Sequence, residues 1–339
     1  MLAINLRDLA EVEQARIWDS DEYVAEEKLN GVRCLCHIGS DMNRLSTRVK
    51  SKVTGLYSEK TNHFPHLRGM PMGFLSGTVL DGELLLDKAR MFTGTTWAQG
   101  SLACTMALCS ASTENAVALQ TKEGNAVFWA FDIIRHRGEP IQQLPFSLRR
   151  HRLEEVFREI DSHSIRHETL QLVPQVATDK HRFYEELLAR EREGVMLKHR
   201  DGLYQHTGRS KEMLKAKRFL TVDGFIIGST PGYKGNAGLI GSLMIGVYDA
   251  ATGKVCEIAG VAPYDLSRDT HGTNLRRAMT VLRDGQPQLA ATFNKRVVEI
   301  EAFCWNKNNR LVHAKIARFR SDKTPEECVV DFAEITPSE

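Results

Sequence analysis

A short polar segment, residues 28–33 with the sequence KLNGVR, interrupts two strand patterns and limits how the chain can fold around it. Apolar residues 23–25 predict a strand that enters the segment, and apolar side chains at alternate positions over 32–38 predict a strand that leaves it. The glycine between the two patterns predicts a turn. Lys28 therefore ends one strand, and Arg33 lies on the face of the next strand opposite its apolar residues.

A lysine and an arginine placed in this way are suited to a phosphate group. The lysine can attack phosphorus as a nucleophile, and the guanidinium can form paired hydrogen bonds to phosphate oxygens. Gly31 allows the backbone to approach a ligand closely. A surface hairpin with a solvated lysine would have the same pattern, so the segment alone leaves both interpretations open.

Two strand patterns further along the chain carry polar or aromatic side chains. Residues 79–85 predict a strand with a glycine in it, which often marks close approach of another group, and Asp81 and Glu83 share one of its faces. Residues 128–134 predict an apolar strand. Most of its side chains are typical of a core, and Phe131 is the one that can stack on a base.

Three later segments add charged side chains. Glu193 follows a helical pattern and begins an apolar strand that ends at Lys198, so its carboxylate is either a ligand for a hard cation or a solvated helix end. Lys215 and Lys217 lie two residues apart on one strand face, which is typical of a solvated face or of an anion site. Residues 318–323, with the sequence RFRSDK, end the series.

In this order the segments closely resemble the covalent nucleotidyltransferase superfamily and, within it, the small two-domain ATP-dependent DNA ligases. The resemblance extends over about residues 22–330 and rests on KLNGVR, LDGEL, EGVMLK, LKAKR and RFRSDK. The stretches 94–125 and 265–295 match no motif of this family.

The resemblance implies a role for polar and aromatic residues in each segment. Lys28 is expected to carry AMP, Lys215 and Lys217 to contact the α-phosphate, and Glu193 to bind the metal ion. The remaining expected catalytic residues are Asn30, Arg320 and Lys323, and the expected nucleotide-binding residues are Arg33, Arg48, Glu83, Phe131, Lys198 and Asp322.

The resemblance also implies the reaction. The amine of Lys28 attacks the α-phosphorus of ATP, and AMP stays on the lysine through a phosphoramide bond. AMP then passes to the 5′-phosphate at a nick, and the 3′-hydroxyl displaces it to close the backbone. ATP is thus the expected co-substrate, Mg²⁺ or Mn²⁺ the expected metal ion, and nicked double-stranded DNA the expected partner.

Asn30 is a departure from the family, which has aspartate at this position of its first motif. Asparagine keeps the size and hydrogen-bonding reach of aspartate, but it supplies no negative charge and cannot act as a base. We expect the consequence to fall on the final sealing step more than on the adenylation of Lys28.

Length and composition fit two domains. A chain of 339 residues with 42% hydrophobic residues predicts about two packed cores. Short glycine-rich strand patterns begin soon after Lys217. The resemblance implies an α+β fold, with a nucleotidyltransferase (adenylation) domain of mainly antiparallel sheets and flanking helices over residues 1–220 and an OB-fold β-barrel over residues 221–339.

Charge and cysteine content are less informative. The net charge of +2 is a weak indication of a nucleic-acid partner, although basic residues cluster over 209–218 and 307–323.

Seven cysteines without metal-type spacing predict free thiols in a reducing compartment. Neither a signal-peptide pattern nor an apolar run of membrane-spanning length occurs. We therefore expect a cytoplasmic monomer that does not associate with membranes.

Three alternative functions remain open at this point. An RNA ligase and a capping-type guanylyltransferase share the lysine chemistry, and the C-terminal barrel with RFRSDK favours a DNA ligase over most RNA ligases. A non-catalytic nucleic-acid-binding protein is the third alternative. Asn30 alone favours it, whereas the presence of Lys28, Glu83 and Glu193 disfavours it.

Overall fold

The computed structural model of the protein describes most of the chain, namely residues 2–50, 55, 57–86, 97–165, 168–190, 192–205, 208–263, 276–306 and 308–335. The chain divides into two compact units, Met1–Lys217 and Arg218–Glu339. Each unit has a hydrophobic core of its own.

The first unit is rich in strands. In chain order these are β1 (Leu2–Asn5), β2 (Tyr23–Glu27), β3 (Val32–His37), β4 (Arg44–Lys50), β5 (Tyr57–Glu59), β6 (Val79–Leu85), β7 (Val127–His136), β8 (Glu139–Pro140), β9 (Leu170–Leu172), β10 (Gln175–Val176), β11 (Gly194–His199) and β12 (Arg209–Lys217).

Helices lie between these strands. The α-helices are α1 (Glu11–Asp19), α2 (Pro65–Arg68), α3 (Trp97–Ser110), α4 (Thr113–Glu123), α5 (Phe146–Ser162) and α6 (Lys180–Ala189). Short 3-10 turns span Leu6–Asp8, Thr61–His63 and Gly73–Leu75.

The described strands of the first unit form two sheets. The larger has the order β5-β4-β3-β6-β7-β8 with β9 beside β7, and the smaller has the order β1-β12-β11-β2-β10. The pairs β7–β9 and β1–β12 are parallel, and the other pairs are antiparallel. Strands β2 and β3, which flank the segment 28–33, therefore belong to different sheets, and this segment connects them.

Helices cover the sheets with apolar faces. In α5, Leu153, Val156 and Ile160 recur at helical spacing and are fully buried in the core of the larger sheet. Leu187 of α6 and Ile17 of α1 pack in the core of the smaller sheet. Helices thus pack against one face of each sheet. Polar side chains can then lie on the strand positions that point away from these helices.

The second unit is also mainly antiparallel. Its strands are β13 (Leu220–Pro231), β14 (Ile240–Asp249), β15 (Val255–Val261), β16 (Thr280–Arg283), β17 (Gln286–Leu289), β18 (Val297–Ala302), β19 (Cys304–Trp305), β20 (Leu311–Val312), β21 (Lys315–Arg320) and β22 (Val329–Val330). Short 3-10 turns span Lys234–Asn236, Ala291–Phe293 and Pro325–Glu327.

The main sheet of the second unit has the order β15-β14-β13-β18-β21, with β22 beside β14. Five strands in this Greek-key order are the arrangement of the OB-fold, a partly open barrel. Ile226, Ile245, Val298 and Ile300 lie fully buried in its core. The mixed, mainly antiparallel architecture of both units confirms the predicted α+β fold class.

All seven cysteines are free thiols, as the sequence predicts. Cys34 and Cys36 point into the core of the larger sheet. No helix in the described part of the chain combines the length and the apolar character needed to cross a membrane.

Candidate active site

The register of three strands brings Lys28 next to Glu193 and Lys217. The backbone N–H of Lys28 donates to the carbonyl oxygen of Gly194 at 2.9 Å, and Gly194 lies opposite Lys217 in the β11–β12 ladder. Gly194 has φ +134°, and a Cβ there would lie 2.0 Å from the carbonyl oxygen of Ala216. Only glycine allows the strands to approach so closely at this point.

One buried carboxylate binds both lysines. The Nζ atoms of Lys28 and Lys217 each lie 2.6 Å from an oxygen of Glu193, whose side chain is 5% exposed. Burial alone would raise the pKa of the Glu193 carboxyl, but the two ammonium groups outweigh it and hold that pKa below its ordinary value. Glu193 is therefore an ionised anchor that fixes the position of the Lys28 amine.

A second set of charges lines the face of the larger sheet. Arg33 Nε donates to Asp81 at 3.0 Å, and Asp81 is completely buried. The N–H of Gly31 donates to Glu83 at 3.2 Å. Burial raises the pKa of Glu83 to about 7, against the opposing effects of Lys28 and Arg33. Strand pairing places Arg33 opposite Glu83, so these groups share one wall of the site.

Phe131 occupies an irregular position in β7. The β6–β7 register pairs Gly82 with Ala130 and then Asp81 with Asp132, so Phe131 is the extra residue of a β-bulge. A bulge turns a side chain out of the regular alternation of a strand. The aromatic ring is thereby directed to the cavity that Arg33 and Glu83 line.

Buried ion pairs hold the bulge in place. Lys198 Nζ donates to the carbonyl oxygen of Phe131 at 3.0 Å, lies 4.8 Å from the centre of its ring and pairs with Glu26 at 2.6 Å. On the other side, Arg149 donates to both oxygens of Asp132 at 2.8 and 3.0 Å. Because a buried charge that loses its partner is costly, these pairs leave little freedom to the bulge.

Several of these side chains line a cavity of about 390 Å³ in the first unit, large enough for a small organic ligand. Its wall combines cationic, acidic, aromatic and thioether groups. Its lining includes Lys28, Arg33, Glu83, Phe131, Lys198 and Lys215, with Met196 and Met213 as further apolar residues.

Most of the remaining predicted residues are also placed by the structure. Asn30 lies half-buried in the turn between β2 and β3. Glu193 and Lys217 contact each other beside Lys28. Arg48 lies on β4, but its side chain is outside the described part of the structure.

Arg320, Asp322 and Lys323 lie in the second unit and form a cluster there. Arg320 makes a two-point contact with Asp322 at 2.8 and 2.7 Å and lies 3.2 Å from Asp223 and 3.3 Å from Glu299. Lys323 also pairs with Asp223. The hydrogen bonds from Arg320 hold the pKa of Asp322 below its usual range.

Several partners of the predicted residues carry no sequence signal of their own. Glu26, Arg149, Tyr204 and Asp223 each bind a residue of the site or its neighbour from a distant part of the chain. Asp132 is different, because a carboxylate inside an apolar strand requires a charged or polar partner and so predicts that one lies nearby.

The donor groups fit a metal ion that arrives with a nucleotide. Among the described residues, no group of three or more His, Cys, Asp or Glu is arranged to hold a metal ion. Glu193 is a single carboxylate, and both of its oxygens bind ammonium groups. Mg²⁺ in nucleotide sites commonly takes one or two carboxylates together with substrate phosphate oxygens, so one carboxylate is compatible with such an ion.

Residues 1–217 match the family described as "ATP dependent DNA ligase domain", and the chain belongs to this family, as its motifs predict. The DNA ligase of Thermococcus onnurineus is 28% identical over 205 residues, which are 58% of this chain and 36% of that protein. A probable DNA ligase of Streptomyces avermitilis is 26% identical over 316 residues, 89% of this chain and 56% of that protein. The chain thus spans between about a third and a little over half of the length of these relatives.

A solved structure shares the fold. A chain from a structure–function study of DNA binding by Lig E DNA ligases superposes with a TM-score of 0.57 at 18% identity, covering 94% of this chain and 98% of that chain. At this identity the likeness concerns the fold, which agrees with the α+β architecture described above.

The raised pKa of Glu83 predicts a pH-dependent contribution to stability. The folded protein binds this proton more tightly than the unfolded chain, whose ordinary value is 4.5, so the contribution is fully present below about 4.5 and is lost as pH rises through about 7. From about pH 5 to pH 8, the free energy of unfolding of the wild type should therefore fall by ~1–3 kcal/mol relative to Glu83→Gln. Urea unfolding of both proteins at the two pH values measures the difference.

Glu59→Gln is the matched control for this prediction. Glu59 is exposed, and its hydrogen bond from Arg44 lowers the pKa of its carboxyl, so its contribution has the opposite sign and grows with pH. If the free energy of unfolding of the wild type and of Glu83→Gln changed with pH in parallel, the raised pKa of Glu83 would be contradicted.

Proposed function

We propose that this protein is an ATP-dependent DNA ligase that seals nicks between 3′-hydroxyl and 5′-phosphate ends through a lysyl-AMP intermediate. The observation that carries the proposal is the position of Lys28. Its amine lines the 390 Å³ cavity and is held at 2.6 Å by the buried carboxylate of Glu193. Family membership supports a DNA ligase and gives no support to an RNA ligase, a capping enzyme or a non-catalytic protein.

In the first step Lys28 loses a proton to solvent, its amine attacks the α-phosphorus of ATP, a P–N bond forms and the bond to pyrophosphate breaks. The nitrogen then loses a second proton to solvent, which leaves the neutral phosphoramide. Glu193 has a lowered pKa and is therefore a weak base, so its role is to hold the nucleophile in line rather than to remove its proton. Lys215 and Lys217 supply positive charge for the α-phosphate.

The other lining residues bind the nucleotide. Phe131 offers an aromatic face for the base, and Lys198 holds Phe131 in place by donating a hydrogen bond to its carbonyl oxygen. Glu83 accepts a hydrogen bond from a ribose hydroxyl, and Arg33 and Arg48 contact ribose or phosphate. In this assignment the cavity orients the α-phosphorus towards Lys28, and positioning supplies most of the rate.

Mg²⁺, or Mn²⁺ in its place, would be held by Glu193 together with phosphate oxygens of ATP. Its chemistry is to offset the negative charge of the triphosphate. Glu193 would then contact the ion as well as the lysines, since each carboxylate oxygen accepts more than one contact.

The two later steps use DNA. AMP passes from Lys28 to the 5′-phosphate at the nick, and the 3′-hydroxyl then attacks that phosphate and releases AMP.

The adenylation domain corresponds to residues 1–220 and the OB-fold domain to residues 221–339. In the latter, Arg320 and Lys323 orient the leaving pyrophosphate, with Asp322 positioning Arg320. The enzyme acts as a cytoplasmic monomer on nicked double-stranded DNA.

Lys28→Ala should abolish transfer of AMP to the protein, because no other group at this position can form the phosphoramide bond. Folding should be retained, since Lys217 still pairs with Glu193. The variant should also close a nick that already carries 5′-adenylate, a step that needs no new adenylation.

Radiolabelled ATP and a pre-adenylated nicked duplex test the two activities. Lys122→Ala, which removes an exposed lysine, is the control, and a labelled Lys28→Ala protein would contradict the assignment.

Asn30→Asp should preserve or raise the rate of sealing, with the largest effect in the final step and at low metal concentration, because aspartate adds the charge that asparagine lacks. Asn30→Ala should cost on the order of 1–3 kcal/mol, since it also removes the hydrogen-bonding groups of the amide. Single-turnover closure of a pre-adenylated nick across a Mg²⁺ titration compares the three proteins. Equal damage from Asp and Ala would show that Asn30 belongs to a differently built site.

A further inference from the structure

Tyr204 contacts the wall of the cavity from outside the sequence motifs. It lies in the segment between β11 and β12, and its hydroxyl donates to Asp81 Oδ2 at 2.7 Å. Arg33 Nη2 donates to the same hydroxyl at 3.1 Å, while Arg33 Nε donates to Asp81 Oδ1 at 3.0 Å. The phenol, the carboxylate and the guanidinium thus form a closed triangle of hydrogen bonds.

This triangle restricts how Arg33 can move. Asp81 is completely buried, and each of its two oxygens accepts a hydrogen bond from Arg33, which holds one edge of the guanidinium against the carboxylate. The hydroxyl of Tyr204 adds a contact to both partners at once. Without it, the guanidinium could slide along the carboxylate without losing its charge partner, and its direction relative to the cavity would no longer be fixed.

The hydroxyl keeps its proton in this environment. Burial, followed by the negative charge of Asp81, raises the pKa of Tyr204 above its ordinary value. Tyr204 is therefore a neutral donor to Asp81 over the working pH range. It stabilises the buried carboxylate without cancelling the charge that attracts Arg33.

The backbone around Tyr204 is anchored to the same scaffold as the aromatic bulge. The N–H of Tyr204 donates to the carbonyl oxygen of Gln142 at 3.1 Å. Arg149, which binds Asp132 beside the bulge, also donates to the carbonyl oxygen of Gly202 at 3.1 Å. The backbone on the N-terminal side of the Tyr204 ring is thus fixed by hydrogen bonds to the scaffold that also holds the bulge.

We propose that Tyr204 is a positioning residue of the nucleotide site, which acts through Asp81 to aim the guanidinium of Arg33 into the cavity. Arg33 lines that cavity and lies 5.7 Å from the ring centre of Phe131. This inference rests on the proposed function, because it requires that Arg33 contacts the bound nucleotide. Tyr204 itself touches Asp81 and Arg33, whereas the cavity is lined by Arg33.

The test is a double-mutant cycle on self-adenylation. Tyr204→Phe keeps the ring and removes only the hydroxyl, and it should lower the second-order rate of AMP transfer from ATP about tenfold. Arg33→Ala should lower the rate more. In the Arg33→Ala background, the further change Tyr204→Phe should alter the rate less than about twofold, since the group that Tyr204 positions is gone.

Tyr23→Phe is the matched control. It removes a hydroxyl hydrogen bond of 3.2 Å to the carbonyl oxygen of Lys211, in the same unit and outside the cavity lining, and should leave the rate unchanged. Thermal unfolding of all variants accompanies the rates. A rate for Tyr204→Phe equal to that of the wild type, or the same tenfold loss with and without Arg33, would overturn the positioning role.

The outcomes also separate this inference from the proposed function. If the wild type transfers no AMP to itself, the proposed function fails, and the positioning role, which rests on it, is overturned as well. If the wild type is adenylated and Arg33→Ala reacts at the wild-type rate, Arg33 does not contact the nucleotide and the positioning role falls with it. If Arg33→Ala is slow and Tyr204→Phe is not, the ligase assignment stands and the inference on Tyr204 is wrong.

Discussion

The carboxylate of Glu193, shared by two ammonium groups at 2.6 Å, is the interaction on which the rest of the site depends. It is formed where β2, β11 and β12 meet, and it exists because Gly194 lets the strands approach where any other residue would collide with a carbonyl group. Removing the carboxylate would leave two cations facing each other with no counter-charge. The pair therefore fixes the direction of Lys28 as well as its electrostatic surroundings.

Around this anchor, the cavity is built from charges that the protein has withdrawn from water. Asp81 with Arg33, Asp132 with Arg149 and Glu26 with Lys198 are pairs in which at least one member is almost completely buried. Pairs of this kind add little net stability compared with apolar residues of the same size, but breaking one is expensive. Their contribution is geometric: they hold Phe131 and Arg33 in orientations in which both side chains line the same cavity.

Local patterns predicted those parts of the site that lie within one element or one turn. The period of two along β6 and β12 placed Asp81 with Glu83, and Lys215 with Lys217, on common faces. The glycine of the first motif predicted the turn that presents Lys28. These inferences depend only on neighbours along the chain, and the family resemblance added the expectation of an α+β fold, which the structure confirms.

The partners of these residues could not be predicted, because they come from distant parts of the chain. Lys28 and Glu193 are separated by 165 positions and Arg33 and Tyr204 by 171. The bulge at Phe131 depends on the register of β6 with β7, and the sequence carries no mark of that register shift. Pairing of Arg320 with Asp223, 97 positions away, likewise follows from strand order in the second unit.

Mass spectrometry can locate the covalent nucleotide on the protein and so identify the nucleophile. The wild-type protein would be incubated with ATP and Mg²⁺ and digested at neutral to alkaline pH, where a phosphoramide bond survives, and its peptides would be analysed by mass spectrometry. We predict one AMP on the peptide that contains Lys28, and its loss when pyrophosphate is added back. AMP on a different residue, or a protein that seals nicks without an adenylated lysine, would contradict it.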